Sequence, residues 1–157
     1  MKLTSIIFLF LMIMGRCNPT RVSSGEHTSG DPLTIRTGTS FGMCAGYCVK
    51  EYVINGATVD LTMFSRDKAQ TSPKSCQRTI DQASRDSLNT LADLEAFSKK
   101  PERLGCPDCA DGGAEYIELQ RGDQKHRVTF EYGQTIPGFE SLVSALRSQR
   151  KAFDECP

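Results

Sequence analysis

The sequence predicts a single domain of the α+β class, a two-layer sandwich in which an antiparallel sheet of about five strands carries two helices on one face. Two observations predict this class. Tight-turn signals join alternating apolar and polar segments into hairpins, which build antiparallel sheets. Two further segments place apolar residues at helical spacing along one side. The predicted order is β-β-β-α-β-β-α, and a chain of 157 residues with 38% hydrophobic content can bury one such core.

The first half of the predicted sheet comes from three alternating segments. Residues 33–37 alternate apolar and polar side chains, which is typical of a strand with one buried face. Residues 47–54 and 57–64 flank Asn55-Gly56, a strong signal for a two-residue hairpin turn because both positions must accept a positive φ. The alternation within 57–64 indicates one face in the core and the other in solvent.

The middle of the chain is predicted to be a loop followed by a helix. Residues 65–75 are polar and contain no strand pattern. In 80–97 four apolar residues recur at short helical spacings, namely Leu88, Leu91, Leu94 and Phe97. We therefore expect one helix with its apolar stripe on the sheet. Pro101 closes it, because proline cannot continue a helix.

A second hairpin and a last helix complete the predicted fold. Residues 114–120 and 126–132 have strand patterns and flank a turn at 121–123. Pro137 suits the first turn of a helix. The residues after it form one apolar stripe of Phe139, Leu142, Val143, Leu146 and Phe153.

The N-terminus has the features of an export signal. Lys2 precedes an uninterrupted apolar run over 6–14, which matches a signal-peptide core and is too short to span a bilayer. Val22-Ser23-Ser24 offers the small residues that a general signal peptidase prefers before its cleavage site. Residues 1–24 are therefore predicted to be a signal peptide.

Cys17 offers an alternative, in which 1–16 is a lipoprotein signal and the cysteine carries a lipid anchor. Arg16 is unusual immediately before such a cysteine. With either cut, 25–31 is predicted to be a flexible tether and 32–157 a single domain. The expected location is the periplasm or the cell surface.

The charge balance excludes some classes of partner. The whole chain carries 19 Lys and Arg against 19 Asp and Glu, and residues 1–24 remove three cations and no acid. A slightly acidic domain without a basic run does not fit a nucleic-acid binder. No transmembrane segment is expected in the mature chain. The partner is not identified by the sequence, and an envelope protein is the class we expect.

Six cysteines remain in the folded part, and export favours disulfides between them. They are Cys44, Cys48, Cys76, Cys106, Cys109 and Cys156. Each disulfide stabilises a small exported domain by roughly 2 to 4 kcal/mol. Cys76 and Cys156 form a natural couple, which leaves the other four as a second cluster. Connectivity within that cluster stays open. A bond between its two motifs would join the first hairpin to the second.

Two alternatives use the same cysteines differently. Cys44 and Cys48 are separated by three residues, and Cys106 and Cys109 by two, which are spacings found in zinc sites. The four would then form a zinc-binding domain. Alternatively, Cys106 and Cys109 alone would act as a thiol-disulfide oxidoreductase. A reactive Cys-x-x-Cys usually starts a helix, however, whereas this motif leads into a predicted strand and has two aspartates nearby.

The same motifs carry a family resemblance. The run FGMCAGYC at 41–48, the run CPDCADGGAE at 106–115 and the strand end VTFEY at 128–132 resemble a group of uncharacterised exported bacterial domains. The resemblance covers most of the chain from about residue 32. It implies export and an α+β fold, and it implies no activity and no catalytic residue.

Few other side chains suit catalysis. His126 shares a strand face with apolar residues and is expected to be packed or solvated, and His27 lies in the tether. Asp108, Asp111 and Glu115 are close in sequence but lack the further ligands of a calcium loop. We expect the aspartates to form a turn with the glycines.

The cations near the end of the last helix, Arg147, Arg150 and Lys151, complement the helix dipole and are expected to form a solvated face. No nucleophile-elbow, P-loop, dinucleotide or zinc-protease motif is present. The sequence therefore favours a non-catalytic, exported, disulfide-stapled domain without a cofactor. Its role is expected to be binding, inhibitory or structural.

Overall fold

The structure is a computed structural model that describes residues 30–65 and 72–157. The predicted signal peptide, Cys17, His27 and nearly all of the predicted tether lie outside the described residues. Residues 66–71 of the predicted loop do so as well. Within the described ranges, no helix is both long and apolar enough to cross a membrane.

Seven strands and three helices make up the described chain, which confirms the mixed α+β class. The strands are β1 (Thr34–Ser40), β2 (Tyr47–Asn55), β3 (Thr58–Ser65), β4 (Lys74–Thr79), β5 (Arg103–Leu104), β6 (Ala114–Arg121) and β7 (Gln124–Glu131). The helices are α1 (Gln82–Leu91), α2 (Leu94–Phe97) and α3 (Glu140–Ala152), with a short 3₁₀ turn at Cys109–Asp111.

The strands form one sheet in the order β4-β3-β2-β1-β6-β7-β5. The predicted β2-β3 and β6-β7 hairpins form, but the first turns at Gly56-Ala57, one residue later than predicted, and of its residues only Gly56 has a positive φ. β1 joins the hairpins by pairing antiparallel with both β2 and β6. The prediction of about five strands was too low. β4 begins in the last two residues of the predicted loop and pairs antiparallel with β3, and the two residues of β5 pair parallel with β7.

One face of the sheet is apolar and carries the helices. Leu88 of α1, Phe97 of α2 and Leu146 of α3 share one core with strand residues that alternate along the sheet. These include Ile35, Tyr52, Leu61, Ile117, Leu119 and Phe130. The alternation therefore has the predicted effect of placing every second side chain in the core.

The opposite face of the sheet is polar. Glu118 pairs there with Arg36 at 3.1 Å and with Arg127 at 2.9 Å, and the Arg127 guanidinium lies 4.1 Å from the centre of the Tyr116 ring. Because these pairs cross three neighbouring strands, they brace the centre of the sheet on its solvent side.

The predicted helix over 80–97 is two helices. Asp81 is the N-cap of α1, because its side chain accepts a hydrogen bond from the Ser84 N–H. Ala92 is the C-cap of the same helix. Asp93 then caps α2 by accepting from the Ala96 N–H. Asp93 has extended backbone angles, as an N-cap residue does, so one continuous helix cannot pass through it.

Candidate functional site

The six described cysteines lie in three pairs at disulfide distance. The Cα atoms are 5.7 Å apart in Cys44–Cys48 and 5.5 Å apart in both Cys76–Cys156 and Cys106–Cys109. These separations are within the normal range for a disulfide. The couple between Cys76 and Cys156 is the one that the sequence predicted. The other four cysteines pair locally, so no disulfide joins the two motifs.

The Cys76–Cys156 bond ties the C-terminus to the edge strand β4. Two side chains of β4 hold the same segment: Lys74 Nζ donates to the Cys156 carbonyl at 3.1 Å, and Arg78 Nη2 donates to the Gln149 carbonyl at 2.9 Å. Covalent and polar contacts therefore fix the end of α3 against the sheet.

The first disulfide loop, residues 41–48, and the second, residues 106–113, touch each other at one end of the sheet. Antiparallel pairing places Ser40, at the end of β1, opposite Ala114, at the start of β6. The Gly42 N–H donates to Asp108 Oδ1 at 3.1 Å, which links the loops without a shared disulfide. The predicted connection between the two halves is thus made by packing and hydrogen bonding.

The backbone of the second loop bends sharply. Asp108, Ala110 and Asp111 all have positive φ, at 64°, 50° and 59°. The Cys106 N–H donates to a Glu131 carboxylate oxygen at 2.7 Å, which fixes the loop on the end of β7. The aspartates thus lie in a turn, as the sequence indicated.

The four motif cysteines do not converge on one point, as a zinc site would require. In residues 30–65 and 72–157 no three His, Cys, Asp or Glu side chains are grouped to hold a metal ion. With their sulfurs bonded in pairs, these cysteines also lack the thiolates that bind zinc. The residues in this arrangement do not fit the metal.

Glu115 is the centre of a buried ionic network between β6 and α3. Its side chain is 1% exposed. Arg147 donates to it through Nη2 at 2.7 Å, Arg150 donates through Nη2, and the Gly133 N–H adds a bond of 3.0 Å. Arg150 also donates to the Thr37 hydroxyl of β1. The network therefore joins the sheet, the turn after β7 and the last helix.

Burial would raise the pKa of Glu115, but the hydrogen bonds from Arg147 and Gly133 and the positive charge of Arg150 outweigh it and hold the pKa below its usual value. The carboxylate stays ionised at neutral pH. Its main effect is to fix the direction of two guanidinium groups.

A cleft of about 550 Å³ opens beside this network, between the sheet and the last turn of α3. Four cations and two acids line it: Lys50, Arg147, Arg150, Lys151, Glu115 and Asp154. Lys50 of β2 pairs with Asp154 at 2.7 Å. Lys151 is exposed and has no ion pair with another described residue. The lining therefore has an excess of positive charge.

Aromatic side chains form another part of the cleft. Phe41, from the first disulfide loop, and Tyr132, which follows β7, contact edge to face with ring centres 4.8 Å apart. Tyr132 is 50% exposed. Tyr52 is 2% exposed and lines the cleft, and its hydroxyl makes no hydrogen bond to another described residue. Burial first, and then the charge of Asp154, raise the pKa of Tyr52 to about 12.

His126 is packed, as the sequence indicated. Its Nε2 donates to the Lys100 carbonyl at 2.8 Å, and its ring stands edge to face against Phe97. A nitrogen held by a backbone carbonyl in this way is not positioned as a general base.

No cleft was predicted from the sequence, because Arg147, Arg150 and Lys151 were expected to form a solvated face. That assignment is wrong for Arg150, which is 8% exposed and bonded to Glu115. Glu115 was considered only together with the aspartates of the turn. One signal was available: a glutamate at an inward-facing strand position needs a buried cation as a partner.

The comparisons with known proteins add no family. No family model matches the chain, and no curated protein matches it. The resemblance of the cysteine motifs to exported bacterial domains stays a prediction.

Proposed function

We propose that this chain is an exported, non-catalytic binding domain whose fold is stapled by three disulfides. The observation that carries the proposal is the pairing of all six described cysteines. Disulfides persist in oxidising compartments and are rare in the cytosol. The apolar run after Lys2 supplies the export signal, with a lipid anchor at Cys17 as the alternative.

Two features support binding rather than catalysis. The cleft below α3 has a volume of about 550 Å³, and clefts of roughly 300 to 1,000 Å³ are typical of ligand sites. A catalytic site also needs a nucleophile or base with an orienting partner. Here the cleft's buried acid, Glu115, is ionised and engaged by two arginines, and His126 is held by a backbone carbonyl.

The cysteine pair Cys106–Cys109 is poorly placed for redox catalysis. Cys109 starts a three-residue 3₁₀ turn, and β6 follows directly after Gly113. A catalytic pair gains its low thiol pKa from the N-terminus of a longer helix. We therefore assign this bond a structural role.

The test is intact-mass analysis of the full chain after expression with its own N-terminus and cell fractionation. We expect an extracytoplasmic product without residues 1–24, or one cut before Cys17 with a lipid adduct. Alkylation without reductant should add nothing to the cysteines that remain, and alkylation after reduction should label six in the first product.

Metal quantification on the same sample decides the zinc alternative. Four cysteines alkylated without reductant, with one zinc ion per chain, would refute the disulfide proposal. Retention of an uncut chain in the cytoplasm would refute export.

A further inference from the structure

The cleft below α3 carries more positive charge than its own carboxylates neutralise. Lys50 is paired with Asp154, and Glu115 faces both Arg147 and Arg150. One carboxylate therefore serves two guanidinium groups, and Lys151 beside them is unpaired among the described residues. The lining has four cations against two acids. An anion that enters the cleft would meet a net attraction.

A buried donor points to the same ligand chemistry. Tyr52 lies on the floor of the cleft, is almost fully buried, and its hydroxyl has no hydrogen-bond partner among the described residues. The phenol stays protonated at neutral pH because its pKa is about 12. The hydroxyl oxygen is not sealed from solvent, so it is reached from the cleft. An acceptor oxygen of a ligand would take the place of water on this hydroxyl.

The excess of two cations attracts any small anion, so the charge count does not distinguish a carboxylate from a phosphate. The rest of the lining does, because it offers aromatic surface that an organic carboxylate can contact and that inorganic phosphate cannot.

The aromatic pair defines the rest of the ligand. Phe41 and Tyr132 contact each other and both line the cleft, and Tyr132 is half exposed. Such surfaces bind an apolar or aromatic body by contact and by edge-to-face packing. The volume of about 550 Å³ leaves room for a small organic molecule.

We infer that this cleft binds a small monoanionic carboxylate with an apolar or aromatic body, with Lys151 and Tyr52 contacting the carboxylate and Phe41 and Tyr132 contacting the body. The inference rests on the proposed binding function and names its ligand class.

The test is a titration of the processed, oxidised protein with phenylacetate, acetate and inorganic phosphate at neutral pH. Binding is measured by calorimetry and by the shifts of amide NMR signals. We expect saturable binding of phenylacetate, with the largest shifts near residues 132–133 and 150–154. Acetate should bind more weakly because it lacks the ring. Phosphate should bind more weakly because it has no apolar body to contact Phe41 and Tyr132.

Three variants make the test specific. Lys151→Gln removes the unpaired charge and Tyr52→Phe removes the unpartnered hydroxyl, and each should weaken phenylacetate binding by roughly threefold to tenfold. Lys125→Gln is the matched control. Lys125 is exposed and lies opposite Gln120 at the far end of β6. The Lys125→Gln variant should therefore bind phenylacetate as tightly as the unchanged protein.

The inference is overturned by no saturable binding of phenylacetate, by tighter binding of phosphate, or by unchanged affinity in both Lys151→Gln and Tyr52→Phe. If binding fails in protein whose mass shows three disulfides, the ligand class is wrong and the exported, stapled domain stands. If the mass shows free thiols, the proposed function itself fails.

Discussion

The Glu115 side chain connects β6 to α3 and to the turn after β7. It is buried, accepts hydrogen bonds from Arg147, Arg150 and the Gly133 N–H, and holds α3 to the sheet. Replacing a buried ion pair with apolar residues is often harmless, but removing one partner leaves charge buried without compensation. The stability of the fold should therefore depend strongly on this carboxylate.

Glu115→Gln should lower the free energy of unfolding by about 3 to 5 kcal/mol, because the buried Arg150 and the partly exposed Arg147 lose their counter-ion. Urea denaturation of the purified protein measures the change. Glu102→Gln is the control, since Glu102 is exposed and its side chain has no ion pair among the described residues; its effect should stay within about 0.5 kcal/mol. Equal effects of the two substitutions would contradict the role assigned to Glu115.

The pH dependence of stability follows from the same carboxylate. Its pKa is lower in the folded chain than the usual value of 4.5, so its stabilising contribution is complete above pH 4.5 and is lost as pH falls through the folded pKa. Carbon-13 NMR titration of the Glu115 carboxyl should give a midpoint below 4.5. A midpoint at or above that value would mean that burial outweighs the arginines.

At the scale of elements, the contact between the two disulfide loops depends on a glycine. Gly113 has a φ of 82°, and a Cβ atom there would lie 2.5 Å from the Phe41 ring. Only glycine satisfies both the backbone angle and the close approach. The loop at 106–113 is therefore fixed by its backbone as well as by its disulfide.

Gly113→Ala should destabilise the fold by more than the roughly 1 to 2 kcal/mol that a positive φ alone costs. Gly46→Ala isolates the backbone term, because Gly46 has nearly the same φ, 83°, and open space around its Cβ position. Thermal unfolding of both variants, measured side by side, gives the difference. If Gly46→Ala proved as harmful as Gly113→Ala, the contact with Phe41 would have no energetic weight.

Sequence patterns predicted the elements with clear periodicity and missed those without it. The β2-β3 and β6-β7 hairpins have alternating apolar residues and strong turn signals, so their positions were predictable. β4 has the sequence KSCQRT, whose single apolar residue is Cys76, and it forms because β3 offers an unpaired edge. The parallel pairing of β5 likewise depends on β7 lying beside it.

At the scale of the whole molecule, the three disulfides should differ in their effect on stability. Cys76–Cys156 closes 80 residues of chain, whereas the other two bonds close four and three. The loss of conformational entropy in the unfolded chain grows with the length of the closed loop. The long-range bond is therefore expected to be the main covalent contribution to stability.

Replacing both Cys76 and Cys156 with alanine should cost about 4 to 5 kcal/mol, against about 2 kcal/mol for the same replacement of Cys44 and Cys48. Guanidinium denaturation of the two double variants under oxidising conditions tests the order. The reverse order would show that the local bond does more than close a short loop.

The sequence by itself determined the α+β class, both hairpins and the apolar stripes, because periodicity and turn chemistry are local properties of the chain. It also indicated the couple of Cys76 with Cys156, because these two cysteines lie outside the closely spaced motifs. Only the tertiary structure decided that the motif cysteines pair locally and that Arg150 is buried against Glu115. These two residues are 35 positions apart, and their contact exists because α3 crosses the start of β6. A cleft built by such long-range packing leaves no periodic pattern in the sequence.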